Sequence, residues 1–370
     1  MNIPTWYQLE NTDQIVSPAL LLYPDRIEKN IQLMVDMVGN VERLRPHIKT
    51  HKTKEIIKMQ MTYGIQKFKC ATIAEAELLG QCGAKDILLA IQPVGANIAR
   101  FFELIEQFPE SKFSTIVDNA GIITLISEKA FSKKISVPLF LDLNTGMNRT
   151  GIAPNQHATN LCQLISEDPN LIFRGIHAYD GHIRDANIKD RKKVCDAAFD
   201  LVADFKTGIE KAGITVETIV MGGSPTFPVH AKREDVETSP GTTLLWDERY
   251  GTSFKDMKFM HAAVLLTRVI SKPALNVICL DLGHKSIAPE MDFPRVKIFG
   301  LEDCEQIGQS EEHLVLSCPS GTAVEVGDIF YAIPMHICPT VAKYPKTLLV
   351  AHGKVTGSWN VAARDYSLSI

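Results

Sequence analysis

The sequence predicts an α/β protein: an N-terminal (β/α)8 TIM-like barrel followed by a C-terminal all-β domain. Three observations predict it. Between about residues 41 and 242, eight apolar runs of strand length alternate with segments whose apolar residues recur at helical spacing. After about residue 258 that spacing gives way to short apolar runs separated by Gly, Pro, Asp and Asn. And 370 residues accommodate a barrel of about 250 residues plus a smaller module.

Taken in order, residues 17–22 are an apolar run that can pair into the C-terminal domain, and 24–38 read as a helix. The eight barrel strands are expected at 44–49, 68–73, 86–91, 113–118, 138–143, 173–179, 218–222 and 236–239. Between them, Ile98, Phe101, Phe102 and Ile105 fall on one helical face. Thr72 followed by Glu75 makes a capping box for a helix that stops at Gly83. An open doubly wound sheet is the alternative architecture. The β runs of the second domain are 262–271, 276–281, 296–300, 313–318, 328–334 and 347–351. The expected division is a barrel over 24–257 and a β domain made of 1–23 plus 258–370.

Composition narrows the function classes. A formal charge of -4 leaves no basic footprint for nucleic acid. No apolar run approaches the roughly 18 residues of a membrane span. The opening Met1-Asn2-Ile3-Pro4-Thr5-Trp6 lacks a secretory n-region and apolar core. Eight cysteines without a repeating framework read as reduced thiols, so a cytoplasmic location is expected.

The most informative stretch is Leu44-Arg45-Pro46-His47-Ile48-Lys49-Thr50-His51-Lys52. A lysine at the C-terminal end of a barrel strand can have its amine pKa lowered by burial and by neighbouring cations. An amine so tuned forms a Schiff base with a carbonyl cofactor such as pyridoxal phosphate. A solvated basic turn would be the reading of this motif alone; four downstream segments made for the same cofactor count against it. Arg149, in the Gly-containing loop after the fifth strand, can offer a fixed fork to a phenolate or carboxylate. Strand alternation puts His177 and Tyr179 on one face, with His182 just beyond, so one can stack on a cofactor ring and another act as a base. Met221-Gly222-Gly223-Ser224-Pro225-Thr226 and Ser239-Pro240-Gly241-Thr242-Thr243 are adjacent small-residue turns suited to a phosphate after strands 7 and 8. In the β domain, His336 and Cys338 lie two apart and would share one side of an extended strand, a donor pair suited to Zn2+.

In this order, Arg-Pro-His-x-Lys-Thr-His-Lys, Gly-Met-Asn-Arg-Thr-Gly, His-Ala-Tyr-Asp-Gly-His, Gly-Gly-Ser-Pro-Thr, Ser-Pro-Gly-Thr and His-x-Cys-Pro-Thr resemble a known group over nearly the whole chain. It is the D-threonine aldolase and D-serine dehydratase group of fold type III pyridoxal phosphate enzymes, distant relatives of alanine racemase. The resemblance implies an active site at the junction of the two domains, closed by a second subunit of a homodimer. It implies that Lys49 carries the cofactor, Arg149 contacts its phenolic oxygen and Tyr179 contacts its ring. It implies that Gly222, Gly223, Ser224, Gly241 and Thr242 cradle the phosphate, and that His336 and Cys338 bind a divalent metal (Zn2+, Mn2+ or Mg2+).

The activity implied is cleavage of a small D-3-hydroxy-α-amino acid, D-threonine to glycine and acetaldehyde, with His182 as a candidate base. D-serine dehydration to pyruvate and ammonia is the alternative. A racemase fits less well, because Ser239 stands where racemases carry an arginine before Pro-Gly and no counterpart of their second catalytic tyrosine is found. A non-catalytic carrier resembles a bare barrel without a β domain. His paired with Cys, where aldolases of the group can use His with Asp, keeps the dehydratase open. Glu237, two residues before Ser239, is expected to face the pyridine nitrogen.

Overall fold

The computed structural model describes residues 5–370; the expectation placed on the chain's first four residues lies outside them. By compactness the chain forms two units, one of Met34–Lys49, Ile57–Gly241 and Asp365–Ile370, the other of Met1–Leu33, Thr50–Ile56 and Thr242–Arg364. Residues 24–33, 50–56 and 242–257, which the sequence reading placed with the barrel, therefore group with the β-rich unit.

The first strand, β1 (Ala19–Leu22), belongs to the β-rich unit. The barrel unit is a parallel sheet of β2 (Lys67–Cys70), β3 (Asp86–Leu89), β4 (Lys112–Val117), β5 (Val137–Leu143), β6 (Leu171–Ala178), β7 (Thr218–Met221) and β8 (Val236–Thr238), hydrogen-bonded in sequence order. Each of the strands β2 to β7 is followed by a helix before the next, as parallel crossovers require. Seven strands stand where eight were expected. Residues 44–47 make only isolated bridges, Leu44 to Thr238 and His47 to Lys69. The physical reason is Pro46, which has no N–H for a ladder. The segment still bridges both edges of the sheet: Arg45 N–H donates to Thr238 O, His47 N–H to Pro240 O, and Lys69 N–H to Pro46 O, each at 2.9 Å. It is the closing stave of a barrel.

Alternation sorts the inward residues into layers. At the N-terminal end, buried Arg45 pairs with Glu237 (2.6 Å) and Asp86 (2.7 Å), Arg174 with Asp86 (2.9 Å), and Lys67 with Glu237 (2.7 Å). Leu88, Ile116, Phe140 and Val220 pack together above them. Lys69, Asp142 and His177 lie two residues beyond Lys67, Phe140 and Gly175 on their own strands. At Gly175 (φ +146°) a Cβ would lie 2.0 Å from Thr218 O, so the β6–β7 pairing admits only glycine there. The helix Ile73–Cys82 starts as expected: Thr72 Oγ1 accepts from Glu75 N–H, and the Glu75 carboxylate reaches back to Ala71 N–H.

The β-rich unit is a nine-stranded sheet of β1, β9 (Ala263–Ala274), β10 (Val277–Leu280), β11 (Val296–Ile298), β12 (Glu305–Gln309), β13 (Leu314–Ser317), β14 (Ile329–Pro334), β15 (Lys346–Ala351) and β16 (Lys354–Asn360). The early run does pair into it: β1 lies antiparallel to β9 and parallel to β15. Leu21, Val264, Leu266, Tyr331, Ile333 and Val350 form its core. Strands β12 and β16 were not expected, because both are edge strands and carry the polar residues that edges tolerate. Cys304 and Cys318 are joined in a disulfide, against the expectation of reduced thiols throughout. The cause is register: Glu305 pairs with Ser317, which brings the flanking cysteines face to face. Among the described residues the other six cysteines are free, and no helix is long and apolar enough to cross a membrane.

Candidate active site

The stave ends at His47 and turns at once into a short 3-10 helix, Ile48–Thr50. His47 Nδ1 accepts the Lys49 amide at 3.2 Å, which fixes the lysine's backbone in that turn. Lys49 Nζ then lies 5.5 Å from the centroid of the Tyr179 ring. The same ring receives Arg149, 4.8 Å away, and Lys69, 5.7 Å away. Two amines and a guanidinium around one half-buried phenol ring make an electropositive mouth, and cations are drawn to an aromatic face. Lys52 donates to Ala363 O at 3.3 Å.

Lys69 is buried, and burial, then the nearby Lys49 charge, lower its amine to about 7, against the pull of Asp142 and Asp180. Beside it, His177 Nδ1 meets Asp142 Oδ1 at 2.6 Å. Burial, then the Lys69 cation, hold this imidazole below its usual range although Asp142 opposes them. His177 Nε2 is buried and has no hydrogen-bond partner. His182 is exposed, and its ring lies against Gly146, where a Cβ would come within 2.9 Å of Nε2.

The turns after β7 and β8 are joined: Gly241 N–H donates to Ser224 Oγ at 3.1 Å. Gly222 (φ +90°) has His230 behind it, and a Cβ on Gly223 would stand 3.0 Å from Tyr179 Cε2, so the turn lies against the edge of the ring. The Gly223 amide is satisfied by Thr226 Oγ1 (3.1 Å), which donates to Asp180 Oδ1 (2.9 Å), while Asp180 Oδ2 bonds His230 Nε2 (2.7 Å). Cys195 lies in this buried group, its ligand atom within 4.8 Å of those of Asp180 and His230. Ser239 Oγ, one residue before Pro240, is buried without a partner.

Two assignments are corrected. Glu237 does not face the mouth: both its oxygens are held by Arg45 and Lys67 in the ion network at the barrel's other end. Two residues along a strand is a full layer of the barrel, and Ser239 occupies the upper one. Nor do His336 and Cys338 lie on an extended strand. β14 ends at Pro334, and His336 is the N-cap of a short helix, Ile337–Val341, that contains Cys338.

His336 and Cys338 still meet. Burial alone would lower His336, but its interaction with Cys338, followed by Glu290, raises it to about 9. Burial alone would raise the Cys338 thiol; His336, Thr242 and Thr50 bring it below its usual value. His336 Nδ1 bonds Glu290 Oε1 at 2.5 Å, as metal-ligating histidines bond an outer carboxylate. The Cys338 sulfur lies 3.2 Å from Thr50 Oγ1 and 3.5 Å from Thr242 Oγ1. Thr242, expected in the phosphate cradle, thus turns its hydroxyl to the thiol. Thr50 and Thr242 follow Lys49 and Gly241 in the chain. Asp247, raised to about 6 by burial, accepts from Ile337 N–H and fixes the start of that helix.

Sequence reasoning missed Lys69, Asp142, Asp180, His230 and Glu290. Alternation from Lys67 was signal enough for Lys69, and Asp142 and Asp180 stood inside motifs already singled out. For Glu290, distant in sequence from His336, there was none.

Fold and site together define an α/β barrel whose mouth gathers two lysines and an arginine around one tyrosine ring. The alanine racemase, N-terminal domain model matches residues 23–248, more than half of the chain, and the protein belongs to that family. A second model, for a serine dehydratase domain, matches residues 262–350. The chain is 27% identical to a D-threonine aldolase of Arthrobacter sp over 361 residues, 96% of this chain and 94% of that one. It is 27% identical to a 3-hydroxy-D-aspartate aldolase of Paracoccus denitrificans (strain Pd 1222) over 363 residues, 95% and 92% of the two chains. A D-serine dehydratase of Dictyostelium discoideum is 23% identical over 376 residues, 90% and 94%. The crystal structure of D-threonine aldolase from Filomicrobium marinum superposes with a TM-score of 0.87 at 25% identity, covering 98% of this chain and 99% of that one.

Proposed function

We propose that the chain is a pyridoxal 5'-phosphate- and divalent-metal-dependent lyase of D-3-hydroxy-α-amino acids that cleaves D-threonine to glycine and acetaldehyde. The observation that carries this reading is the convergence of Lys49, Lys69 and Arg149 on the Tyr179 ring, with the Gly223 turn at the ring's edge. The relatives named above, at 27% identity over nearly the whole chain, support the reaction class.

The residues present fit the cofactor. Lys49 would hold its aldehyde carbon and Arg149 its phenolic oxygen. Ser224 Oγ and Gly241 N–H, bonded to each other across the two turns, are donors a phosphate would separate. Ser239 Oγ, a buried orphan, is a partner for the ring nitrogen. When bound, pyridoxal phosphate supplies an electron sink for charge at the substrate α-carbon. The Cys338 thiol and His336 imidazole fit a borderline divalent ion, which would supply Lewis acidity toward a hydroxyl.

The protein's own part follows. Arg149 and the two turns orient the ligand, and Tyr179 limits its tilt from one side. His182, exposed and so open to solvent exchange, accepts the substrate's β-hydroxyl proton at a ring nitrogen. In a dehydratase, Lys49 Nζ would take the α-proton instead. That second reading is favoured by one observation, the pairing of His336 with Cys338 in place of aspartate. We further propose that the active form is a homodimer, which light scattering on the purified protein checks directly.

The experiment is to incubate protein, pyridoxal phosphate and Mn2+ or Zn2+ with D-threonine and with D-serine. Glycine plus acetaldehyde from D-threonine supports the aldolase. Pyruvate plus ammonia from D-serine supports the dehydratase. No product from either substrate rejects both.

A further inference from the structure

The barrel mouth holds one amine more than the proposed chemistry uses. Lys67 and Lys69, two residues apart on β2, both point into the barrel, and their surroundings differ. Lys67 ends on the Glu237 carboxylate at 2.7 Å, a structural pair. Lys69, a layer higher and 3% exposed, feels the charge of a second amine: Lys49 and Lys69 lie 5.5 Å and 5.7 Å from the centroid of the same Tyr179 ring.

We propose that Lys69 is the proton acceptor for Lys49: its amine takes the proton that Lys49 must shed before Lys49 attacks a carbonyl, and returns it when Lys49 is released. The exchange balances without any other reactant, one ammonium and one amine on each side. It rests on the reading of Lys49 as the carbonyl-binding lysine.

The charges that face Lys69 set which way the proton goes. Lys49 and Arg45 from the closing stave disfavour a second cation, and Arg149 lies against the same Tyr179 ring. Asp142 from β5 and Asp180 after β6 favour one, and His177, bonded to Asp142, adds no charge while neutral. Burial adds to the cations, and the balance leaves Lys69 near 7. Around neutral pH it is therefore both a competent acceptor and a competent donor, which an ordinary lysine, at about 10.4, is not. Loss of the Lys49 charge on reaction removes one of the two main influences that disfavour protonating Lys69, so the transfer reinforces itself.

The test uses the full chain stripped of cofactor and reloaded with pyridoxal phosphate. The rate of covalent capture is followed by visible absorbance from about pH 6 to about pH 10, and the adduct is fixed with borohydride and mapped by peptide mass. In the unaltered protein the rate should level off just above neutrality. In Lys69→Met it should fall about tenfold or more at neutral pH and recover as pH climbs toward the ordinary lysine range. A Lys69→Met profile parallel to that of the unaltered protein, whether equal or lower by a constant factor, overturns the proposal and leaves Lys69 a packing residue. An adduct on Lys69 in the unaltered protein would overturn the assignment of Lys49 itself, a separate failure. Should Lys69→Met not fold, the 13Cε resonance of Lys69 in the unaltered protein decides: a midpoint near 7 is expected, and one near 10.4 rejects the acceptor.

Discussion

Within the Lys49 motif, the histidines two residues to either side are fixed for different purposes. His47 accepts the Lys49 amide. His51 is 1% exposed, with Nδ1 accepting from Thr53 N–H and Nε2 buried without a partner. Burial pushes its imidazole down to about 3. The folded state therefore resists a proton that the unfolded chain accepts below about 6.5, so stability falls as pH drops through that value and goes on falling to about 3. Between pH 7 and pH 5 this amounts to about 2 kcal/mol. Urea unfolding at the two pH values should show the stability gap between the protein and His51→Gln changing by that amount; a constant gap would mean that His51 titrates normally. Gly223 gives a second prediction. A valine there places its Cβ 3.0 Å from Tyr179 Cε2 with methyls beyond, so the ring must move. Pyridoxal phosphate affinity, read by absorbance titration, should weaken by about 1–3 kcal/mol while the barrel stays folded.

At the scale of elements, the short helix Ile337–Val341 carries the thiol and its N-cap carries the imidazole. One turn of helix brings the two together as well as a strand would have done, and Glu290 and Asp247 hold its start. Cys338→Ser replaces a soft ligand with a hard, poorly ionised one. Metal content after dialysis against Zn2+ should fall at least about tenfold, while pyridoxal phosphate still binds, since the residues assigned to it lie in the barrel unit. Equal metal content in the variant and the unaltered protein would place the ion elsewhere, and the buried Asp180, Cys195 and His230 would be the next group to examine.

At the scale of the whole molecule, the barrel is closed by a stave that is not a strand. Its buried Arg45 ties that stave to β3 through Asp86 and to β8 through Glu237. Asp86 is held down to about 2, the two arginines beside it overcoming the upward pull of burial. Removing Arg45 leaves two carboxylates short of their partner in a nearly dry layer. Arg45→Met should cost about 3–5 kcal/mol in chemical unfolding. Lys67→Met, whose ammonium is partly solvated, should cost clearly less. Equal costs would mean that the network does not depend on burial.

Most of the barrel was legible because parallel strands buried on both faces must be apolar, and because glycine and small-residue turns mark where they end. Seven of the eight expected strands stand within a few residues of their places. So was the grouping of Arg149, Tyr179 and Gly223 with Lys49, since each lies in the segment after a barrel strand or, for Lys49, after the closing stave, where barrels present chemistry. What the sequence could not settle depends on depth and on partners distant in the chain. Glu237 and Ser239 share a strand face, yet one lies in the ion network and the other a layer above it. Lys67 and Lys69 divide in the same way. Alternation reports the face of a strand and says nothing of the layer, which is set by how far each strand is sheared against its neighbours. Whether an extended run ends in a helix, as at His336, or a lone cysteine finds another, as Cys304 finds Cys318, is likewise decided by the chain packed against it.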